Sequence, residues 1–77
     1  MTSIIRTSMK FRLRELRQNK NLSQVRLAID LCIPQNSISR FENGIRKPDY
    51  DTLIQIADYF NVSLDYLVGR SDNPNIN

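Results

Sequence analysis

The sequence predicts an all-α protein, a compact bundle of five short helices. Three observations carry that expectation. Apolar residues recur at helical spacing, as in Met9, Leu13 and Leu16 or Leu53, Ile54, Ile56, Ala57 and Phe60. Ser23, Asp49 and Ser63 each stand just before such a stripe, where a short oxygen-bearing side chain can bond the free N–H groups of a helix start. No segment alternates apolar and polar residues for more than a few positions, so nothing supports a strand.

In chain order, residues 1–8 lack helical periodicity and read as an arm, residues 9–69 as the folded domain, and residues 70–77 as a frayed tail. The first helix is expected from Met9, with Phe11 off its apolar stripe, and the polar segment from Gln18 to Asn21 should end it. Ser23 caps the second helix, and Leu22 before it is placed to pack on Leu27 as a hydrophobic staple. Leu27, Ala28 and Leu31 form its inner face. Pro34 disfavours helical geometry at Ile33 but suits the first turn of a new helix. The third helix should run to about Asn43, with Ile38 and Phe41 inward and Gly44 as its stop. A basic loop follows, then a fourth helix capped by Asp49. Val62 and Ser63 repeat the staple and cap for a short fifth helix that stops at Gly69.

The chain has 77 residues, a single Cys and no His. It therefore lacks a tetrahedral zinc set, a disulfide framework and a Ser-His or Cys-His nucleophile pair, and no catalytic residue, metal or cofactor is expected. The carboxylates Glu15, Asp30 and Glu42 make no convincing acid–base site. No apolar run is long enough for a transmembrane segment or signal peptide. Cys32, in the apolar stretch Leu31 to Ile33, suits a packing role and a reducing, cytoplasmic compartment. A core this small would gain from a second subunit.

The charge is unevenly placed. Residues 1–47 hold ten basic and three acidic residues, a net +7, whereas residues 48–77 set Arg70 against five aspartates, a net −4. A basic half suits a polyanion and an acidic half should face away from it, although charge alone favours nucleic acid only slightly over a solvated surface. The second and third helices, with their tight break from Cys32 to Pro34, have the spacing of a helix-turn-helix, in which Ala28 permits close approach. Taken alone the same segment is also an ordinary pair of packed helices.

A longer pattern separates the two. The runs L-R-E-L-R (13–17), L-S-Q-V-R-L-A (22–28), S-I-S-R-F-E-N-G-I-R-K-P (37–48) and L-I-Q-I-A-D-Y-F-N-V-S-L-D-Y-L (53–67) closely resemble the lambda repressor-like, Xre/Cro family of DNA-binding domains in one unbroken register. The resemblance implies a transcriptional regulator, expected to be a repressor of bacterial or phage type, that binds double-stranded DNA as a homodimer. It places Gln35, Asn36 and Arg40 at base-reading positions, and their chemistry agrees: Gln and Asn pair bidentately with adenine, Arg with guanine. It places Gln24, Ser37, Asn43, Arg46 and Lys47 at the DNA backbone. Arg17 and Glu42 resemble a family ion pair that ties the first helix to the third.

Two positions depart from the family pattern. Cys32 stands where glycine is usual, so a left-handed backbone there would be strained and the turn should shift. Pro34 replaces the usual Ser or Thr cap of the third helix. Val62, Leu64, Tyr66 and Val68 are candidates for the dimer contact, with the arm (Ile4, Ile5, Arg6) and Phe11 as a second candidate surface. An antitoxin or anti-regulator acting mainly through another protein is the alternative reading. Neither a membrane nor a small-molecule substrate is expected as a partner, and single-stranded RNA is disfavoured for want of an aromatic stacking platform.

Overall fold

The computed structural model describes residues 11–76. Five helices, α1 (Leu13–Asn19), α2 (Gln24–Leu31), α3 (Gln35–Glu42), α4 (Tyr50–Phe60) and α5 (Leu64–Leu67), account for all its regular structure, and no strand occurs among the described residues. None of these helices is long and apolar enough to cross a membrane.

The helix starts follow their caps. Ser23 Oγ accepts from the Arg26 N–H (3.0 Å), Asp49 Oδ1 from Thr52 (2.8 Å) and Ser63 Oγ from Tyr66 (3.0 Å), each satisfying one orphan donor of a first turn. The α3 start is different, because Pro34 (φ −57°) presets the backbone but supplies no side-chain cap.

All five helices end in one way. Just past each, one residue takes left-handed φ: Asn21 (57°), Cys32 (57°), Gly44 (72°), Asn61 (55°) and Gly69 (85°). The next N–H then reaches back five residues, from Leu22 to the Arg17 carbonyl (3.1 Å), Ile33 to Ala28 (3.0 Å), Ile45 to Arg40 (2.9 Å), Val62 to Ala57 (3.0 Å) and Arg70 to Asp65 (2.8 Å). This Schellman closure satisfies carbonyls the helix leaves free. Gly and Asn tolerate the geometry; Cys32 is the exception. The turn therefore does not shift away from Cys32, and its thiol is exposed rather than packed in the core, because a left-handed residue at the corner turns its side chain outward. Cys32→Gly should relieve strain of about 1–2 kcal/mol. Glycine's greater unfolded freedom offsets about 0.5–1 kcal/mol of that. A thermal melt should rise by a few degrees; a fall would show that the turn is unstrained.

The core is a single cluster of Leu13, Leu27, Ala28, Leu31, Ile38, Phe41, Ile56, Ala57, Phe60, Val62 and Leu67. It draws on every helix, so the site-bearing pair α2 and α3 sits on a shared floor. Side-chain bonds add cross-links: Gln55 Nε2 donates to the Leu31 carbonyl (2.8 Å), and Tyr59 Oη donates to Asp30 Oδ2 (2.5 Å). Phe11, expected off the stripe, packs partly against the core.

Two expectations about the chain ends change. The first helix starts at Leu13, because Arg12 is committed elsewhere; Met9 and the arm lie outside the described residues. The Arg12 N–H donates to the Leu67 carbonyl (2.8 Å), and its guanidinium donates to the carbonyls of Tyr66 (2.7 Å) and Ser71 (2.8 Å) and to Asp72 Oδ1 (2.8 Å), lying 4.1 Å from the Tyr66 ring centre. The tail is correspondingly not frayed up to Pro74, whose carbonyl accepts from the Ser63 N–H at 2.9 Å.

Candidate nucleic-acid interface

Helix α3 is built to present one face. Ile38 and Phe41 are buried in the core, which turns Gln35, Asn36 and Arg40 to solvent. These three exposed side chains lie on one helical surface with the chemistry of base-edge recognition. With no side-chain cap at Pro34, the first amides of α3 also carry the partial positive charge of a helix N-terminus. The Schellman closure at Gly44 folds Ile45 and Arg46 back beside the end of α3, where the N–H groups of both reach the Arg40 carbonyl.

The remaining sequence-derived site residues divide. Lys47 is exposed. Arg46 is exposed too, but its Nη1 donates to Ser37 Oγ (3.2 Å) and its guanidinium lies 5.6 Å from the centre of the Phe41 ring. Ser37 is 8% exposed, so it supports Arg46 from inside the helix pair instead of offering its hydroxyl to solvent. Asn43 is exposed, yet its amide is spent internally: Nδ2 donates to the Ser39 carbonyl (2.9 Å) and Oδ1 accepts from Arg14 Nη2 (2.7 Å).

Glu42 is the hub. Its carboxylate is fully shielded from solvent and receives Arg17 Nε on Oε2 (2.6 Å), with Arg17 Nη2 (3.0 Å), Gln24 Nε2 (3.1 Å) and Arg14 Nε (3.4 Å) on Oε1. Arg17 Nη1 also holds the Leu22 carbonyl at 2.8 Å. Burial by itself would push the Glu42 carboxyl up, but the bonds from Arg17, Gln24 and Arg14 and the Arg17 charge outweigh it and hold the group below the ordinary carboxylate range. The bond to Glu42 likewise raises Arg17. Bonding to Thr52 lowers Asp49 at the α4 cap. Carboxylates depressed in the folded state bind fewer protons than in the unfolded chain, so their stabilisation is present above the ordinary range, about 4, and is lost as pH falls through it and below. Melts between neutral pH and pH 3 should show that loss, and Glu42→Gln should flatten it; an acid-insensitive midpoint would contradict the hub.

The dimer candidates are mostly packing groups. Val62 lies in the core, whereas Leu64, Tyr66 and Val68 are partly buried. Larger exposed apolar side chains occur elsewhere, at Val25 (49% exposed) and Ile29 (62%) on α2, and at Ile45 and Tyr50 flanking the basic loop. The structure adds Arg12 and Arg14 to the residues that organise this region. Arg12's partners lie 54 to 60 residues away, and no local pattern signals them.

A profile of the helix-turn-helix family matches residues 13–67, the span from the first residue of α1 to the last of α5. The chain belongs to the lambda repressor-like, Xre/Cro helix-turn-helix family. Within that family, this Xre/Cro domain is 41% identical over 61 residues to the HTH-type transcriptional regulator ImmR of Bacillus subtilis (strain 168), covering 79% of this chain and 48% of that protein. It is 37% identical over 61 residues to the HTH-type transcriptional activator BcrR of Enterococcus faecalis, covering 79% of this chain and 30% of that protein. To the cryptic phage CTXphi transcriptional repressor RstR of Vibrio cholerae it is 34% identical over 61 residues, covering 79% of this chain and 54% of that protein. The Xre/Cro domain thus spans about half the length, or less, of these curated relatives.

Proposed function

We propose that this protein is a sequence-specific, double-stranded-DNA-binding transcriptional regulator, and not an enzyme. The observation that carries the reading is the outer face of α3, where Gln35, Asn36 and Arg40 stand exposed on a helix anchored from behind by Ile38 and Phe41. In the proposed mechanism α3 enters the major groove. Gln35 and Asn36 read adenine and Arg40 reads guanine. Gln24, Arg46 and Lys47 hold the backbone and Ser37 acts by supporting Arg46, whereas Asn43, with its N–H and its side-chain amide both bonded to Ser39 and its Oδ1 to Arg14, braces the end of α3.

We further propose a homodimer on a palindromic operator, with half-sites about one helical turn apart. The solvent-facing parts of Leu64 and Val68, at the acidic end remote from the charge of DNA, are the proposed contact. Repression is the proposed outcome, supported by the relative named a transcriptional repressor; the relative named an activator makes a promoter-reporter assay the deciding experiment. The exposed pair Val25 and Ile29 is the observation that would favour a purely protein-binding role. Lys47→Ala separates backbone grip from reading. It should weaken binding to all duplexes alike and lower the salt slope by about 1. An unchanged slope in a fluorescence-anisotropy titration would remove Lys47 from the interface.

A further inference from the structure

The five helix ends share one closure, and one of them breaks its packing rule. A Schellman closure brings the side chain just past the left-handed residue beside the residue whose carbonyl its N–H reaches, and an apolar pair commonly forms there. At α2 and α4 the residues so paired are Ile33 with Ala28 and Val62 with Ala57, and all four lie in the core or pack against it. At α1 the same position holds Leu22, which also packs against the core. At α5 it holds Arg70, opposite Asp65, and neither is apolar.

At α3 the pair is Ile45 with Arg40. Arg40 is exposed on the outer face of the helix, so this closure gives an apolar side chain nothing to pack on. Ile45 is 74% exposed, the most exposed large apolar side chain among the described residues. Arg46 does not cover it, because its guanidinium lies on Ser37 Oγ (3.2 Å) and near the Phe41 ring (5.6 Å). An isoleucine thus stands bare beside the base-reading end of α3.

Its surroundings say what would cover it. Arg40, Arg46 and Lys47 flank it, Glu42 is turned inward onto Arg17, and Asp49 is the one exposed carboxylate of the stretch, so the surface around Ile45 stays net positive. The occupant must therefore offer anionic groups at the rim and an apolar group at the centre. Duplex DNA offers both, with phosphates outside and the C5-methyl of thymine on the major-groove edge. A β-branched side chain also has little rotamer freedom to lose when it is covered.

We propose that Ile45 is a specificity-determining residue that reads the C5-methyl group of a thymine next to the base pair taken by Arg40. The inference rests on the DNA-reading role of α3 and deepens it by extending the readout past the end of the helix.

The test uses the whole chain and the duplex it enriches from a random pool. Thymines near the position read by Arg40 are replaced one at a time by uracil, which removes the methyl group and leaves the hydrogen-bonding edge unchanged. At one of them the wild-type chain should bind about fourfold more weakly per half-site, the worth of one buried carbon. Ile45→Ala should bind the thymine duplex more weakly than wild type and be indifferent to that replacement, while Ile45→Val should keep the preference. Thermal melts of both variants should match the wild type, since Ile45 lies outside the core. If wild type tolerates uracil at every position, or Ile45→Ala keeps the full preference, the inference is overturned and the DNA-reading role of α3 still stands. A loss in Ile45→Ala that is equal for thymine and uracil duplexes overturns it too, by making Ile45 a contact to sugar. Failure to enrich any sequence would overturn both.

Discussion

Glu42→Ala is expected to destabilise the domain by about 3–5 kcal/mol, the typical cost of removing one partner of a buried ion pair. The reason is what the substitution leaves behind. Arg17 remains a mostly covered cation, and Gln24 loses the acceptor that holds its amide. Against a total stability of about 5–15 kcal/mol, that loss leaves a fold near its threshold. The midpoint of a domain this size should fall by about 4–8 °C per kcal/mol. The paired replacement Arg17→Met with Glu42→Leu should recover much of the loss, because an apolar pair has no charge left unpaired. Circular-dichroism melts of both variants check this. A drop below about 1 kcal/mol in Glu42→Ala would mean the pair behaves as an exposed one.

Arg40→Ala should cost about 1–3 kcal/mol in binding to the preferred operator, the discrimination typical of one bidentate Arg–guanine pair. That is roughly a 5- to 150-fold loss of affinity. The loss should be confined to one base position of each half-site, so that binding there becomes indifferent to the base while other positions keep their preferences. This separates a reader from a clamp, since Lys47→Ala should lower affinity for every sequence. Stability should hardly change, because Arg40 is exposed and its side chain contributes nothing to the core. Competition with operators altered one base at a time measures the effect; a loss equal for all sequences would move Arg40 from base reading to backbone contact.

What the sequence made legible was local. Caps at Ser23, Asp49 and Ser63 act within three residues, and the stop at Gly44 follows from glycine's tolerance of left-handed φ. The core face of α3 was readable from Ile38 and Phe41, and with it the outward direction of Gln35, Asn36 and Arg40. Long-range polar contacts were not readable. Arg12 looks like any other arginine in a basic helix, yet it pins the α5 end and the tail through bonds to Tyr66, Ser71 and Asp72. Ser37 shows the same limit, because a serine early in a helix can face either way and here packs under Arg46. Cys32 misled for a different reason: its apolar neighbours suggest burial, but a corner residue with left-handed φ is exposed whatever its neighbours are.

Whether the face of α3 reads sequence is decided by selection from a randomised duplex DNA pool at near-physiological salt. A DNA-reading α3 should yield an enriched palindrome with half-sites about 10 bp apart. Retention without enrichment, or no retention at all, would contradict it.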